Sequence, residues 1–178
     1  MKRTLFFGLT LWISSTMMAV SYSGTLPVLH IQTENNAAIT SKDDYLNATY
    51  YLDALGLAGY QSLGSASAPL TMEIKGRGNY TWKDFNKKPY RLKLTDKQPL
   101  LGLTKSKHFA LLAHADDAQS KKGFMRNQVG FELSRMIGME WTPATAPVEV
   151  VLNGDYIGLY FLTETIRVDK DRVNIVEQ

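Results

Sequence analysis

The chain has 178 residues, with 20 Lys and Arg against 17 Asp and Glu, and no Cys. The absence of cysteine excludes disulfides, thiolate zinc sites, cysteine nucleophiles and lipid attachment at an N-terminal Cys, so stability must come from an apolar core, which a chain of this length can build. A net charge of only +3 excludes a uniformly basic nucleic-acid binder and turns attention to where the charge is concentrated.

The N-terminus reads as a secretory signal. Lys2 and Arg3 are followed by an apolar run, Leu5 to Ile13, and by the small-residue pattern Ala19-Val20-Ser21, which predicts a leader of residues 1–21 cut after Ser21. The run is well short of the ~20 residues that a membrane helix needs. Cutting there leaves 157 residues with 18 basic and 17 acidic side chains, a net charge of 18 − 17 = +1. The expected mature chain, residues 22–178, is exported and soluble, in the cell envelope, the periplasm or the medium, without stable membrane insertion.

Leu26 to Gln32 reads as a first strand, followed by a polar turn at Thr33 to Ala37. In Tyr45 to Leu52 the β-branched and aromatic residues Thr49, Tyr50 and Tyr51 favour a strand over a helix. A Gly- and Ser-rich loop spans Gly56 to Ser67, and Leu70 to Ile74 is a strand ending at Gly76-Arg77-Gly78, where glycine permits backbone angles that other residues resist. Pro89 to Leu94 alternates, with Tyr90, Leu92 and Leu94 on one face and Arg91 and Lys93 on the other. His108 to Ala113 is a more buried strand. Phe124 to Ile137 is the one amphipathic helix, stopped by Gly138, and Pro147 to Leu152, Asn153-Gly154-Asp155 and Tyr156 to Thr163 form a hairpin. The order implies an α+β fold, an antiparallel sheet with one packed amphipathic helix on a face.

Charge is concentrated between Lys75 and Lys107. Ten basic residues (Lys75, Arg77, Lys83, Lys87, Lys88, Arg91, Lys93, Lys97, Lys105 and Lys107) face two acidic ones (Asp84 and Asp96), a local charge of +8. In a nearly neutral mature chain such a patch points to a specific anion site and not to nucleic acid. A strand, a Gly-flanked loop and a basic strand can fold backbone amides and cations over phosphate oxygens, although a solvated basic edge strand has the same composition. Arg126 and Asn127 open the helix, where the positive end of the dipole favours an anion. Glu132, within the helix, and Glu164, at the end of the last strand, are the two candidates to pair with a phosphate-positioning lysine, with an exposed salt bridge favoured for Glu132 and a functional role for Glu164.

Other chemistries find little support. His30, His108 and His114 lack metal-ligand spacing, His114-Ala115-Asp116-Asp117 reads as a solvated loop, and no nucleophile motif accompanies them. The glycosylation sequons at Asn47 and Asn79 are of a kind common by chance.

Together the motifs resemble the spore-coat protein H (CotH) kinase family of atypical, often exported protein kinases. The likeness runs through Lys75-Gly76-Arg77-Gly78-Asn79, Lys87-Lys88-Pro89-Tyr90-Arg91-Leu92-Lys93, Leu100-Leu101-Gly102-Leu103, Arg126-Asn127, Phe131-Glu132-Leu133-Ser134-Arg135, Asn153-Gly154-Asp155-Tyr156-Ile157-Gly158-Leu159-Tyr160 and Leu162-Thr163-Glu164. Tyr80 stands where many relatives carry Ser.

The resemblance implies the nucleotide-binding N-terminal lobe of an atypical kinase, using ATP and Mg²⁺ to phosphorylate hydroxyls of an unidentified protein substrate. Arg77 and Asn79 would belong to a loop over the phosphates, and one lysine among Lys87, Lys88 and Lys93 would contact them. Glu164 or Glu132 would orient that lysine, with Arg126 at the helix start. The family's Asp-to-Asn catalytic segment and metal-binding Asp lie beyond the point matching Gln178, so no catalytic base or metal ligand is expected within residues 22–178. The alternative from another class is a non-catalytic surface or envelope module that binds an anionic glycan or a partner protein through the same basic face. For the leader, N-terminal sequencing of exported protein is expected to start at Tyr22; cytoplasmic material that keeps Met1 would contradict it.

Overall fold

The computed structural model describes residues 22–113 and 125–176. The expected leader, the His114 to Asp117 run and Phe124 therefore lie outside the described residues. Seven strands appear in chain order: β1 (Val28–Thr33), β2 (Leu46–Asp53), β3 (Leu70–Gly76), β4 (Tyr90–Gln98), β5 (Ser106–Leu112), β6 (Thr145–Leu152) and β7 (Asp155–Glu164). A five-residue helix α1 (Tyr80–Asp84) sits between β3 and β4, and α2 (Arg126–Met136) precedes β6.

The strands close into a barrel in the order β1-β2-β3-β4-β5-β7-β6. Neighbours pair antiparallel except at the closure, where β6 runs parallel to β1 from Val28 opposite Glu149 to Ile31 opposite Leu152. Because side chains alternate along a strand, every second residue points inward. Leu29 and Ile31, Tyr50 and Leu52, Met72 and Ile74, Leu92 and Leu94, Phe109 and Leu111, Val148 and Val150, and Tyr160 and Leu162 form one buried cluster. Leu100, Leu101 and Leu103, from the short 3-10 turn after β4, join the same cluster. The β6–β7 hairpin turns on Asn153 and Gly154, both with positive φ (54° and 87°), the two-residue geometry that matches the twist of the flanking strands.

The expected α+β architecture, an antiparallel sheet with one packed amphipathic helix like a kinase N-terminal lobe, is overturned. The molecule is a mostly-β closed barrel with one parallel seam, and α2 buries no residue. The physical reason is the closure. An open sheet has an apolar face that needs a helix over it, whereas a barrel covers its inward faces with its own strands. Val129, Leu133 and Met136 of α2 accordingly stand exposed (62%, 55% and 77%).

The two environments give opposite expectations for truncation. Leu92, fully buried in the barrel, should cost about 2–5 kcal/mol as Leu92→Ala. Leu133→Ser on α2 should stay within about 0.5 kcal/mol, as at other exposed positions. Urea unfolding of the two variants measures both, and a large loss at Leu133 would show that α2 packs on the barrel.

Candidate functional site: the loop between strands β3 and β4

The loop from Arg77 to Pro89 is shaped by glycine at two points. A Cβ at Gly76 would lie 2.5–2.6 Å from the Trp82 ring, so only glycine lets the indole lie flat on the end of β3. Gly78 has φ +88°, a conformation that L side chains rarely adopt. The loop returns to β4 through the Arg77 N–H, which donates to the Pro89 carbonyl at 3.1 Å. Trp82 then meets Tyr90 edge-on at 6.3 Å, and Tyr90 approaches Tyr160 of β7 at the same distance.

Lys87 and Lys88 are anchored on this aromatic row. The Lys87 Nζ lies 4.5 Å from the Tyr160 ring centre and donates to the Leu159 carbonyl at 2.7 Å. Its tip approaches Gly158, whose Cβ, if present, would be 3.0 Å away and whose φ is +88°. The pairing register of β6 and β7 shifts between Val150 and Val151, which marks a bulge beside this glycine. The Lys88 Nζ donates to the Trp82 carbonyl at 2.6 Å, while the Tyr160 hydroxyl donates to the Lys88 carbonyl at 3.1 Å. Burial, with a lesser contribution from Tyr90, raises the Tyr160 pKa, so it stays a neutral donor.

Lys75, Arg91 and Lys93 lie on the outer face of β3 and β4. Lys75 is opposite Arg91, and Glu73 is opposite Lys93. Lys93 forms an ion pair with Glu73 at 2.6 Å; its hydrogen bond to Glu73 and that charge raise its pKa. Lys75 and Lys93 both stand over the Tyr45 ring, at 4.5 and 5.5 Å. His108, opposite Lys93, is held below its ordinary pKa by burial and then by Arg167, Arg91, Lys93 and Lys107.

Arg77 and Arg91 lie close enough for their charges to interact. The Arg77 pKa is lowered by partial burial and then by the Arg91 charge, although the residue keeps a solvent-exposed surface. The ion pairs among the described residues join Lys93 to Glu73, Arg135 to Glu132 and Arg172 to Glu164, and neither of these two arginines has one. Asn79 accepts a hydrogen bond from Lys42 Nζ at 3.3 Å. Both line a shallow depression of about 780 Å³ together with Tyr80, Trp82, Lys83 and Asp84. A more apolar groove, about 450 Å³, lies between α2 and residues 166–175. No cation among the described residues lines it.

The nominated residues are thus only partly brought together. Arg77, Asn79, Lys87 and Lys88 share the loop, and Lys93 stands on the adjoining strand. Glu164 is buried, paired with Arg172, and accepts the Thr104 and Ala144 N–H groups, each at 3.1 Å. Glu132 pairs with Arg135 at 3.0 Å on the exposed helix that Arg126 begins. Neither glutamate has a bond to a lysine among the described residues. Sequence reasoning did not identify Arg172 as the partner of Glu164, because it arrives on an irregular segment with no periodic signal. The Glu73–Lys93 pair was within reach once strand register was known.

The CotH kinase protein family model matches residues 74–178, from the last residues of β3 through the loop, both helices and the closing hairpin. That is more than half of the chain, and the chain belongs to this family. A search of curated proteins gave no match.

The Glu164–Arg172 pair is a stability element by its geometry. Arg172→Met should cost about 3–5 kcal/mol, because it strands a buried carboxylate. Thermal or urea unfolding checks it, and a change below ~1 kcal/mol would mean that water reaches Glu164.

Proposed function

We propose that this chain supplies the nucleotide-binding part of an exported CotH-family kinase, one that transfers the γ-phosphoryl group of ATP to hydroxyls of a protein substrate. The observation that carries this reading is the family match over residues 74–178, which takes in the glycine-shaped loop and the basic strand after it. Within it, Arg77 at the root of the loop and Arg91 on the basic strand lie close enough for their charges to oppose each other, and neither forms an ion pair among the described residues. Like charges held together are relieved by an anion, and guanidinium suits phosphate because it offers several donors in a fixed plane. The depression lined by Asn79, Tyr80 and Trp82 offers aromatic and polar surface to the rest of a nucleotide.

Lys87 and Lys88 support this site in a different way from a free phosphate-seeking lysine. Their ammonium groups tie the loop to β7 and to its own backbone, which fixes the loop's shape before any ligand arrives. Among the described residues no group of three or more His, Cys, Asp or Glu could hold a metal ion. The described residues therefore offer no such site for Mg²⁺. No helix among the described residues is long and apolar enough to cross a membrane; the proposed export rests on the leader-like first 21 residues.

A second reading is favoured by the spread of the charge. Lys75, Arg91, Lys93 and His108 occupy neighbouring outward positions on three strands, with Arg167 and Lys107 close to His108. Such a stripe suits an anionic glycan or an acidic partner protein.

Titration calorimetry with ATP separates the two. Arg77→Ala and Arg91→Ala should each weaken binding by about 1.5–3 kcal/mol, with Lys105→Ala nearly silent. Equal losses at all three positions would indicate diffuse attraction and favour the second reading.

A further inference from the structure

Glu149 sits on the outward side of β6, only 3% exposed, at the start of the parallel seam with β1. Its two carboxylate oxygens accept the Ser23 N–H at 3.2 and 3.1 Å, the Ser23 hydroxyl at 3.0 Å and the Tyr156 hydroxyl at 2.6 Å. All of these donors are neutral, and no Lys, Arg or His forms an ion pair with Glu149 among the described residues. A carboxylate removed from water is costly unless hydrogen-bonded and paired with a cation. Here the hydrogen bonds are in place and the cation is not.

The neighbouring titratable groups do not supply it. Tyr156 is pushed up to about 12 by burial and its bond to Glu149, and His30 on β1 is held below its ordinary value by burial, against a smaller opposing effect of Asp53. Tyr51, stacked on His30 at 4.2 Å, is also raised, first by burial. At neutral pH these rings are uncharged. The Tyr22 ring is already docked, edge-on to His30 at 5.9 Å and to Tyr156 at 6.3 Å. The backbone is thus held to the barrel from Tyr22 onward, one residue before the Ser23 N–H that grips Glu149.

We propose that peptidase hydrolysis of the Ser21–Tyr22 bond creates an α-ammonium group at Tyr22 that pairs with Glu149, so that processing latches the β1–β6 seam. In the cleavage the C–N bond breaks, and the hydroxyl of water goes to the Ser21 carbonyl carbon and its proton to the Tyr22 nitrogen. The new amine then takes up the proton that the new carboxyl group gives up. Ala19 and Ser21 provide the small residues such a peptidase selects. Pairing raises the folded-state pKa of the amine above its unfolded value of about 7.7–8.0. The latch is therefore fully present below that range and is lost as pH rises through the higher folded value.

The test uses protein processed during export of the full chain. Isotope-labelled methylation of the α-amine, followed by NMR titration, is expected to show it titrating above its ordinary range. Selective acetylation of that amine should lower the melting temperature by about 2–5 °C, and in Glu149→Gln protein acetylation should make no difference. A mature terminus away from Tyr22, an α-amine with an ordinary pKa, or equal melting of free and acetylated protein would each overturn the latch. Should the Glu149→Gln variant fail to fold, titration of the unaltered protein still decides.

Discussion

The parallel pairing of β1 with β6 is the constraint on which the rest of the molecule depends. The six antiparallel pairings alone would leave an open sheet with two unpaired edges and an uncovered apolar face. Closing β6 onto β1 removes both edges and turns alternate residues of all seven strands into one interior. The seam is fastened at both ends. At one end Glu149 gathers Ser23, and the Glu149 N–H donates to the Pro27 carbonyl at 3.0 Å. At the other, the Asn153 side chain accepts the Thr33 N–H at 2.8 Å and the Thr33 hydroxyl at 3.0 Å, while its N–H donates to the Ile31 carbonyl at 2.9 Å. Asn153 thus forms the hairpin turn and stitches the seam with the same residue.

The closure also determines what the loop between β3 and β4 can be. With the interior filled by apolar side chains, the cations of β4 and of the loop before it can only face outward or lie across the barrel's end. Lys87 takes the second course and reaches β7, where Gly158 leaves room for its ammonium group. Lys93 takes the first and meets Glu73 on the neighbouring strand. The aromatic row Trp82, Tyr90 and Tyr160 connects the loop to the core, so the loop is an extension of the packed interior and not a separate flap.

Much of this was legible from alternation and turn chemistry. The two faces of Tyr90 to Leu94, the strand nature of the Tyr45 to Leu52 run and the Asn153-Gly154 hairpin all follow from local rules, and the barrel contains them. The closure was not legible, because parallel pairing between the first and sixth strands is a long-range choice that leaves no mark on either sequence. The error about the helix has the same origin. The apolar residues Val129, Leu133 and Met136 suggest a packed face, yet a barrel offers them no open sheet. Nor could the fate of Glu164 be read from its position at a strand end, since Arg172 reaches it from a segment without periodicity.

Charge balance connects the fold to the two proposals. Two acidic groups of the barrel are matched with cations: Glu164 is buried with Arg172, and Glu73 pairs with Lys93. Two other places stand out by burial or by charge. Among the described residues Glu149 is buried with only neutral donors, and Arg77 and Arg91 oppose each other's charge without an ion pair to a carboxylate. An imbalance of this kind is where an added charge of the opposite sign gains most, because the desolvation and repulsion have already been met in folding. The negative imbalance lies one residue from the proposed cleavage point, and the positive one lies in the part of the chain that the family model matches. The same electrostatic argument therefore assigns a chain terminus to one and a phosphate-bearing ligand to the other.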